Sequence, residues 1–596
     1  MIPGLPPIRT IARTELTVAA SSVTFSGINT LVAALPFTAR HLVVIASGRT
    51  DRNGGNDAAL FQLNGDTGAN YAYQYLYADN TTAAAARVTA QSALTSISFA
   101  GDTAAAGAFG GGSMLIPHAF NTANHKTALC IAGAADLIQF TTVNQWANVA
   151  AITSMKAIPQ SGTNFLAGSV FELAVVDEDY AVEEQVLAAD GTFTFSDLDD
   201  LVQEGDLVGI GYLRTDRAQE DDSLEFSINS DTTASNYARQ LLDGGDGSAS
   251  ASSATDRIIG TAVGNNASAN MFGPLIASYS AFGKGANDVH YLSLSGQYNQ
   301  TNSRIRVLSG RRDNIEAVTS LLFNPVTGTN FKSGSMMSLY HAPKRAVDYV
   351  ELESDTASVT LTVPAGYEDM RLSVYGRSTA SGVAVDSIDM IVNGVTGASN
   401  YSTQTIHGVN TTVAATRPAD DPTIGLLPAA TSGANIFGSM TTLIPQYAKT
   451  DRHKHYVTVS GSLDSNYIRL QSSRFEQTAA ITTLLIKPDN VGDNFAAGSI
   501  FILEGIGGVG SELATTKAEY VVEVDWGNDG KFDGTGDDIT TSVMSAQWQR
   551  GRGSPVTITA LSQPGKASVL LLDQAAEYSP LNTGATLFGK LLPGRP

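Results

Sequence analysis

One unit of sequence is written three times in this chain, and that fact limits its folds more than any motif does. TNFLAGSVFEL from Thr163, TNFKSGSMMSL from Thr329 and DNFAAGSIFIL from Asp493 share a frame in which Phe165, Phe331 and Phe495 lie 166 and 164 residues apart. An unrelated trio, NYAYQ from Asn70, NYARQ from Asn236 and NYSTQ from Asn400, keeps the same two intervals. AITSM, AVTSL and AITTL, from Ala151, Ala317 and Ala480, fall between them, as do Phe109, Phe272 and Phe437. Independent landmarks in register mean that a whole unit was duplicated. Each copy is long enough to own a core. Three tandem homologous domains are expected, residues 13–176, 177–344 and 345–508, with an arm at 1–12 and a different module at 509–596.

Within one copy the pattern is that of strands. LVVIASGRT from Leu42, AALFQLNGD from Ala58, KTALCIAG from Lys126, AAITSMKAI from Ala150 and SVFELAVV from Ser169 are short runs rich in β-branched and aromatic residues, bounded by Gly, Asn, Asp or Pro. Only TTAAAARVTAQSAL from Thr81 leaves room for short helical stretches. The absence of βα alternation predicts an all-β fold, three β-sandwiches of jelly-roll type followed by a smaller β-rich C-terminal module. With 43% hydrophobic and 16% charged residues, the 596-residue chain is not disordered, and its 57 glycines suit many turns.

The repeated letters read first as architecture. In the NFxxGS frame, Phe165, Phe331 and Phe495 plug the end of each sandwich, while Gly168, Gly334 and Gly498 supply turn conformations. The strand that follows closes the domain and is expected to form a long hairpin with the AIT segment. Arg49 and Asp57, Arg214 and Asp222, and Arg377 and Asp386 flank a Gly/Asp/Ala-rich turn at matching places, so an ion pair across a hairpin is expected. Asn70 and Tyr71, Asn236 and Tyr237, and Asn400 and Tyr401 are candidate surface-binding pairs, since an amide and an aromatic face suit a saccharide; a buried tyrosine with a satisfied hydroxyl is the alternative.

Charge and chemistry narrow the function. A net charge of −21 disfavours nucleic acid and anionic membrane surfaces. No apolar run reaches the length of a membrane span, and Met1 is followed by IPGLPPIRT, so neither anchor nor leader is expected. Cys130 is the only cysteine, read as a small buried hydrophobe. The acidic runs DEDY from Asp177 and DLDDLVQEGD from Asp197 sit where one copy hands over to the next and read as solvated linker faces. His118, His125, His453 and His455 lack partners at zinc spacing. No phosphate loop, dinucleotide fingerprint or nucleophile elbow is present. Asp525, Asp529 and Asp533 partly match a calcium loop, but Gly527 and Gly536 stand where oxygen ligands belong, which favours an acidic hairpin without metal. No enzyme activity, cofactor or metal is expected.

The C-terminal VDWGNDGKFDGTGDDITTSVMSAQWQRGRG, ASVLLLDQAAEYSPLN and LPGR resemble a module of minor tail proteins of tailed bacteriophages. NGDTGANY, NFLAGSVFELAV and SGSMMSLYH resemble domains of phage tail or fibre proteins, in which the closing strand ends in Leu-Tyr-Gly; copy one has Val175-Val176 and copy three Leu503-Glu504-Gly505 at that place. The resemblance implies a non-enzymatic virion protein of the tail or tail tip, made in the bacterial cytoplasm. Its implied partners are other tail subunits, copies of itself in a homo-oligomer such as a trimer, and a host-surface glycan or protein. It also implies a string of sandwiches acting as spacer, with a terminal module completed by another subunit or trimmed by processing. A head or neck decoration fibre, and a glycan-binding or glycan-degrading protein, are the alternatives.

Overall fold

In the computed structural model the described residues are 2 and 4–507, apart from 135–136, 199–204, 281–287, 299–301, 344–345, 434, 463–465 and 491, together with two strands further on. Met1–Glu512 forms one compact unit and Leu513–Pro596 another. Of the second unit, Val543–Gln549 and Lys566–Leu571 are described, and they pair antiparallel. The calcium-like loop with Asp525, Asp529 and Asp533 lies outside the described residues.

The first unit is all-β. Its first repeat runs β1 (Ile8–Glu15), β2 (Val23–Ser26), a short helix α1 (Ile28–Ala33), β3 (Leu42–Gly48), β4 (Asn56–Leu63), β5 (Tyr71–Asp79), β6 (Thr82–Gln91), β7 (Leu94–Ala100), β8 (Gly110–Ile116), β9 (Lys126–Ala134), β10 (Ile138–Trp146), β11 (Ser154–Pro159) and β12 (Val170–Val176). The strands form an eight-stranded sheet, β1-β12-β3-β8-β9-β10-β5-β6, and a four-stranded sheet, β2-β11-β4-β7, antiparallel throughout. Repeats two and three reproduce this order strand for strand.

Three details differ from the sequence reading. The alanine-rich stretch near Thr81 is the edge strand β6, whose Ala83–Ala86 pair with β5 and whose Ala83 and Ala85 pack on the core shared by the repeats. The arm ends early, since Ile8 already pairs with Val176. The closing strand forms no hairpin with its predecessor: β11 pairs with β2 and β4, and β12 pairs with β1 and β3. The intervening Phe165 and Gly168 carry the chain from one sheet to the other.

Each eight-stranded sheet is apolar on both faces. Along β9, Ala128, Cys130 and Ala132 face the four-stranded sheet, and Leu129 and Ile131 face away from it. The inner faces build three separate cores, one per repeat. The outer faces meet in a fourth core to which all repeats contribute, among them Leu76, Leu129, Leu242, Leu292, Ile406 and Val457. The repeats therefore do not form a string of spacers. They surround one another.

The closure is head to tail. The main-chain N–H of His125 donates to the Asn270 carbonyl at 2.9 Å, that of Asp288 to Asn435 at 3.4 Å, and that of His453 to Gly107 at 3.0 Å. These are the same bond at equivalent positions, running from repeat one to two, two to three, and three back to one, so the rotation closes within a single chain. Gln240 and Gln404, from the NYxxQ frames, add side-chain bonds across two seams, to the carbonyls of Asn410 at 3.0 Å and Asn80 at 2.9 Å. The N-terminal segment plugs the shared core with Ile2 and Leu5, both buried. Ile2 donates to the Ser113 hydroxyl, Leu5 accepts from Arg371, and a Cβ on Gly4 would stand 2.2 Å from that of Ser278, so all three repeats are touched.

Two seams share one ring stack. Tyr212 lies on Phe272 with centroids 5.0 Å apart and donates to the His125 carbonyl; Tyr375 lies on Phe437 at 5.3 Å and donates to Asp288 at 2.8 Å. Ser47 holds this place in repeat one. There the Arg452 guanidinium of repeat three covers Phe109 at 4.2 Å and donates to the Gly168 carbonyl at 2.6 Å. Among the described residues no helix is long and apolar enough to cross a membrane.

Candidate functional site

The NFxxGS residues are structural. Phe165, Phe331 and Phe495 are fully buried, each bridging two chain segments: Phe165 pairs with Ala20 and Thr50, Phe331 with Gly191 and Thr215, Phe495 with Thr356 and Ser378. Gly168, Gly334 and Gly498 have φ of 86°, 86° and 84°, a conformation that a Cβ disfavours. The preceding Asn164 and Asn330 donate to Asp51 at 2.8 Å and Asp216 at 3.4 Å, which ties the corner to the end of the neighbouring strand.

The arginine–aspartate pairs do not face each other as expected. Arg49 donates to the carbonyls of Asp102, Ala104, Ala105 and Ala108, Arg214 to Asn265, Ala267, Ser268 and Met271, and Arg377 to Ala430, Ser432, Gly433 and Ile436. A guanidinium has five donors in a fixed fork, and a tight loop leaves several carbonyls without a partner, so the loop captures the arginine. The braced loop is the one that offers Gly107, Asn270 or Asn435 across a seam. Asp57 instead accepts from Thr50, Ser161 and Gly162, Asp222 from Thr327 and Gly328, and Asp386 faces the Asn490 amide at 3.5 Å.

The candidate surface tyrosines are also internal. Tyr71, Tyr237 and Tyr401 are each 1% exposed. Their hydroxyls accept from the N–H of Leu63, Ile228 and Val392 and donate to the carbonyls of Asp66, Asp231 and Val395. Asn70 and Asn236 bond to Asp66 and Asp231 at 2.9 Å, and Asn400 to the Gly397 carbonyl at 3.0 Å. Their rings cannot meet a sugar; they pin the turn before each strand.

The concave aromatic surface lies further along the same strand. In YAYQYLY, Tyr71, Tyr73, Tyr75 and Tyr77 alternate with Ala72, Gln74 and Leu76, so the tyrosines share one face of β5. The four-stranded sheet ends at β7 and leaves the far end of that face open. A cleft of about 230 Å³ results, lined by Tyr73, Tyr75, Tyr77, Ile138 and Phe140 on the sheet and by Arg52, Asn56, Asp57, Thr95, Ser98 and Gln160 around it. Tyr75 is the centre: its ring lies 6.0 Å from Tyr73, 5.5 Å from Tyr77 and 5.6 Å from Phe140, nearly parallel to the last. Tyr75, Tyr77 and Phe140 are half-buried. Burial pushes the phenols of Tyr73 and Tyr75 above their ordinary range, so both are neutral donors. Period-two tyrosines in a strand are the sequence signal for this face, and Tyr71, first of the run, is its most deeply buried member.

The equivalent positions differ in the other repeats. Repeat two has Arg239, Leu241, Asp243 and Arg306, locked in ion pairs: Arg239 with Asp256 at 2.6 Å and Arg306 with Asp243 at 3.3 Å. Repeat three has Thr403, Thr405, His407 and Arg469, with His407 stacked on Tyr467 at 5.3 Å and Arg469 over the same ring at 5.7 Å.

Two acidic groups lie in seams. The DEDY run is exposed only at Asp179: Asp177 is buried and pairs with Arg9 at 3.1 Å, and Glu178 accepts from Arg40 and Tyr340, burial raising its carboxyl to about 7. Between repeats one and three, Glu172 accepts from Thr10, and Asp369 accepts from the main chain of Gln446 at 2.8 Å. Arg13 donates to Glu368 at 2.7 Å, and Lys449 to Glu15 at the same distance. Burial and the charge of Glu172 raise Asp369 to about 8, and burial raises Glu172 as well. Among the described residues no group of three or more His, Cys, Asp or Glu is arranged to hold a metal. His118 packs edge-on against Tyr212, burial lowering it to about 4; His125 meets the Gln145 amide at 3.2 Å, and His455 the Ser472 hydroxyl at 3.0 Å. Cys130 is buried.

No family profile matches the chain, and no curated protein does. Among solved structures, domains LG4-5 of the mouse laminin alpha1 chain align at 10% identity over 54% of this chain and 89% of that one, with a TM-score of 0.13. The translocator domain of autotransporter NalP from Neisseria meningitidis aligns at 8% identity over 77% and 92%, with a TM-score of 0.09. Scores at this level carry no inference about fold or function.

Proposed function

We propose that the chain is a non-enzymatic structural protein of a bacteriophage tail or tail tip, which assembles with other tail subunits and contacts the host surface. The observation that carries this reading is the ring of three sandwiches closed inside one chain, a compact body of threefold character. The resemblance of the C-terminal module to minor tail proteins supports a place in the tail. Against hydrolysis stands the lining of the aromatic cleft: Asp57 is its one carboxylate, and both oxygens accept bonds from Thr50, Ser161 and Gly162, whereas glycoside hydrolysis uses two carboxyl groups flanking the bond. Electron microscopy of particles containing the labelled chain tests the proposal. A three-lobed density at the tail supports it; label at the head or neck replaces it with a decoration fibre, and absence from particles overturns it.

A further inference from the structure

We infer that the cleft at the open end of β5 in repeat one is a binding site for a neutral saccharide. The floor is aromatic, with Tyr75 flanked by Tyr73, Tyr77 and Phe140 at 5.5–6.0 Å. The C–H face of a pyranose covers such rings without stripping any charged group of water, and the rings' width suits one sugar unit. The rim is polar and has bonding capacity to spare. The side-chain amides of Asn56 and Gln160 and the hydroxyls of Tyr75 and Tyr77 make no hydrogen bond to another described residue, while Arg52 commits one Nη to the Asn56 carbonyl at 2.6 Å. A few convergent polar groups around an aromatic floor are what a small-molecule site needs.

The ligand's charge follows from the surroundings. Arg52 and Asp57 balance within the cleft, and the chain as a whole carries −21, so acidic glycans are repelled and neutral ones are not. The site belongs to repeat one alone. In repeat two Leu241 stands in place of Tyr75 and the flanking Arg239 and Arg306 are held in ion pairs with Asp256 and Asp243, and in repeat three His407 and Arg469 cover Tyr467. One chain thus offers one saccharide site per ring. This inference gives chemistry to the host-contact part of the proposed function, yet it stands on the cleft and does not need the chain to lie in a tail.

The test uses the purified full chain and neutral linear hexasaccharides of glucose, galactose, mannose and N-acetylglucosamine, immobilised for capture and then titrated by calorimetry. The expected result is binding of at least one of them by the wild type, weakened about tenfold or more by Tyr75→Ala and by Tyr77→Ala, and largely retained by Tyr75→Phe, which keeps the ring. Urea midpoints of the variants, measured alongside, separate lost binding from lost folding. Retention of none of the four sugars overturns the inference, as does binding that Tyr75→Ala and Tyr77→Ala leave unchanged while both are folded. Neither outcome depends on where particles carry the protein, so the microscopy and the titration fail separately.

Discussion

Along β5 and its counterparts, Tyr237–Gly245 and Tyr401–Val409, one face reads Gln74, Leu76, Ala78, then Gln240, Leu242, Gly244, then Gln404, Ile406, Gly408. The opposite face reads Tyr73, Tyr75, Tyr77, then Arg239, Leu241, Asp243, then Thr403, Thr405, His407. The first face meets the other repeats, and the second opens at the sandwich mouth. Packing against two near-copies of itself restricts the first face to one polar, one branched and one small residue, because any change must fit two different neighbours. The mouth has no such partner, and there the three copies have taken aromatic, ionic and hydroxyl chemistry. Closure and recognition are thus assigned to opposite sides of the same strand.

The largest break in this contrast comes from charging the closed face. Leu242→Asp puts an unpaired carboxylate in the shared core and is expected to abolish the cooperative urea transition of the first unit, whereas Leu242→Ala lowers stability by about 2–5 kcal/mol. Glycine corners sharpen the comparison among seams. At Gly168 an added Cβ would stand 2.9 Å from Arg452 Nη2, but at Gly334 the nearest atom is a Phe272 ring carbon at 3.4 Å. Both alanine variants lose about 1–2 kcal/mol to the positive φ, and Gly168→Ala is expected to lose measurably more in the same urea titration.

The acid seam predicts a pH dependence. Asp369 and Glu172 have raised folded-state pKa values, so the folded chain binds protons that the unfolded chain releases. Their contribution is present in full below about pH 4 and falls as pH rises through neutrality to about 8. Asp369→Asn should flatten the stability profile over that window, read from urea midpoints at fixed ionic strength. The smallest expected effect belongs to the open face: Tyr75→Ala should shift stability by less than about 1 kcal/mol, since its half-buried ring closes no core.

The duplication was legible because landmark spacing survives divergence, and the corner residues Phe165 and Gly168 were legible because only burial and positive φ explain that pair in triplicate. The ring leaves one sign in the sequence. Leu42–Ala46 and Ala128–Ala132 are apolar at every position, which marks strands covered on both faces, while a free-standing sandwich would show polar residues at alternate sites. The partners of Arg49 and its equivalents were out of reach, since main-chain carbonyls of a loop some 55 residues away leave no trace in side-chain letters. Tyr71 recurs in all copies because each turn demands it, whereas the open aromatic face lies where the copies disagree.

The hydrogen bond from His453 back to Gly107 has a kinetic meaning. A trimer of separate subunits comes apart on dilution, and its melting point follows protein concentration. Here the three bodies are tethered by peptide bonds, so their docking is first order. The melting temperature of this unit should be the same at nanomolar and millimolar protein, and one molecule emerging from one ribosome can complete its own threefold without waiting for companions.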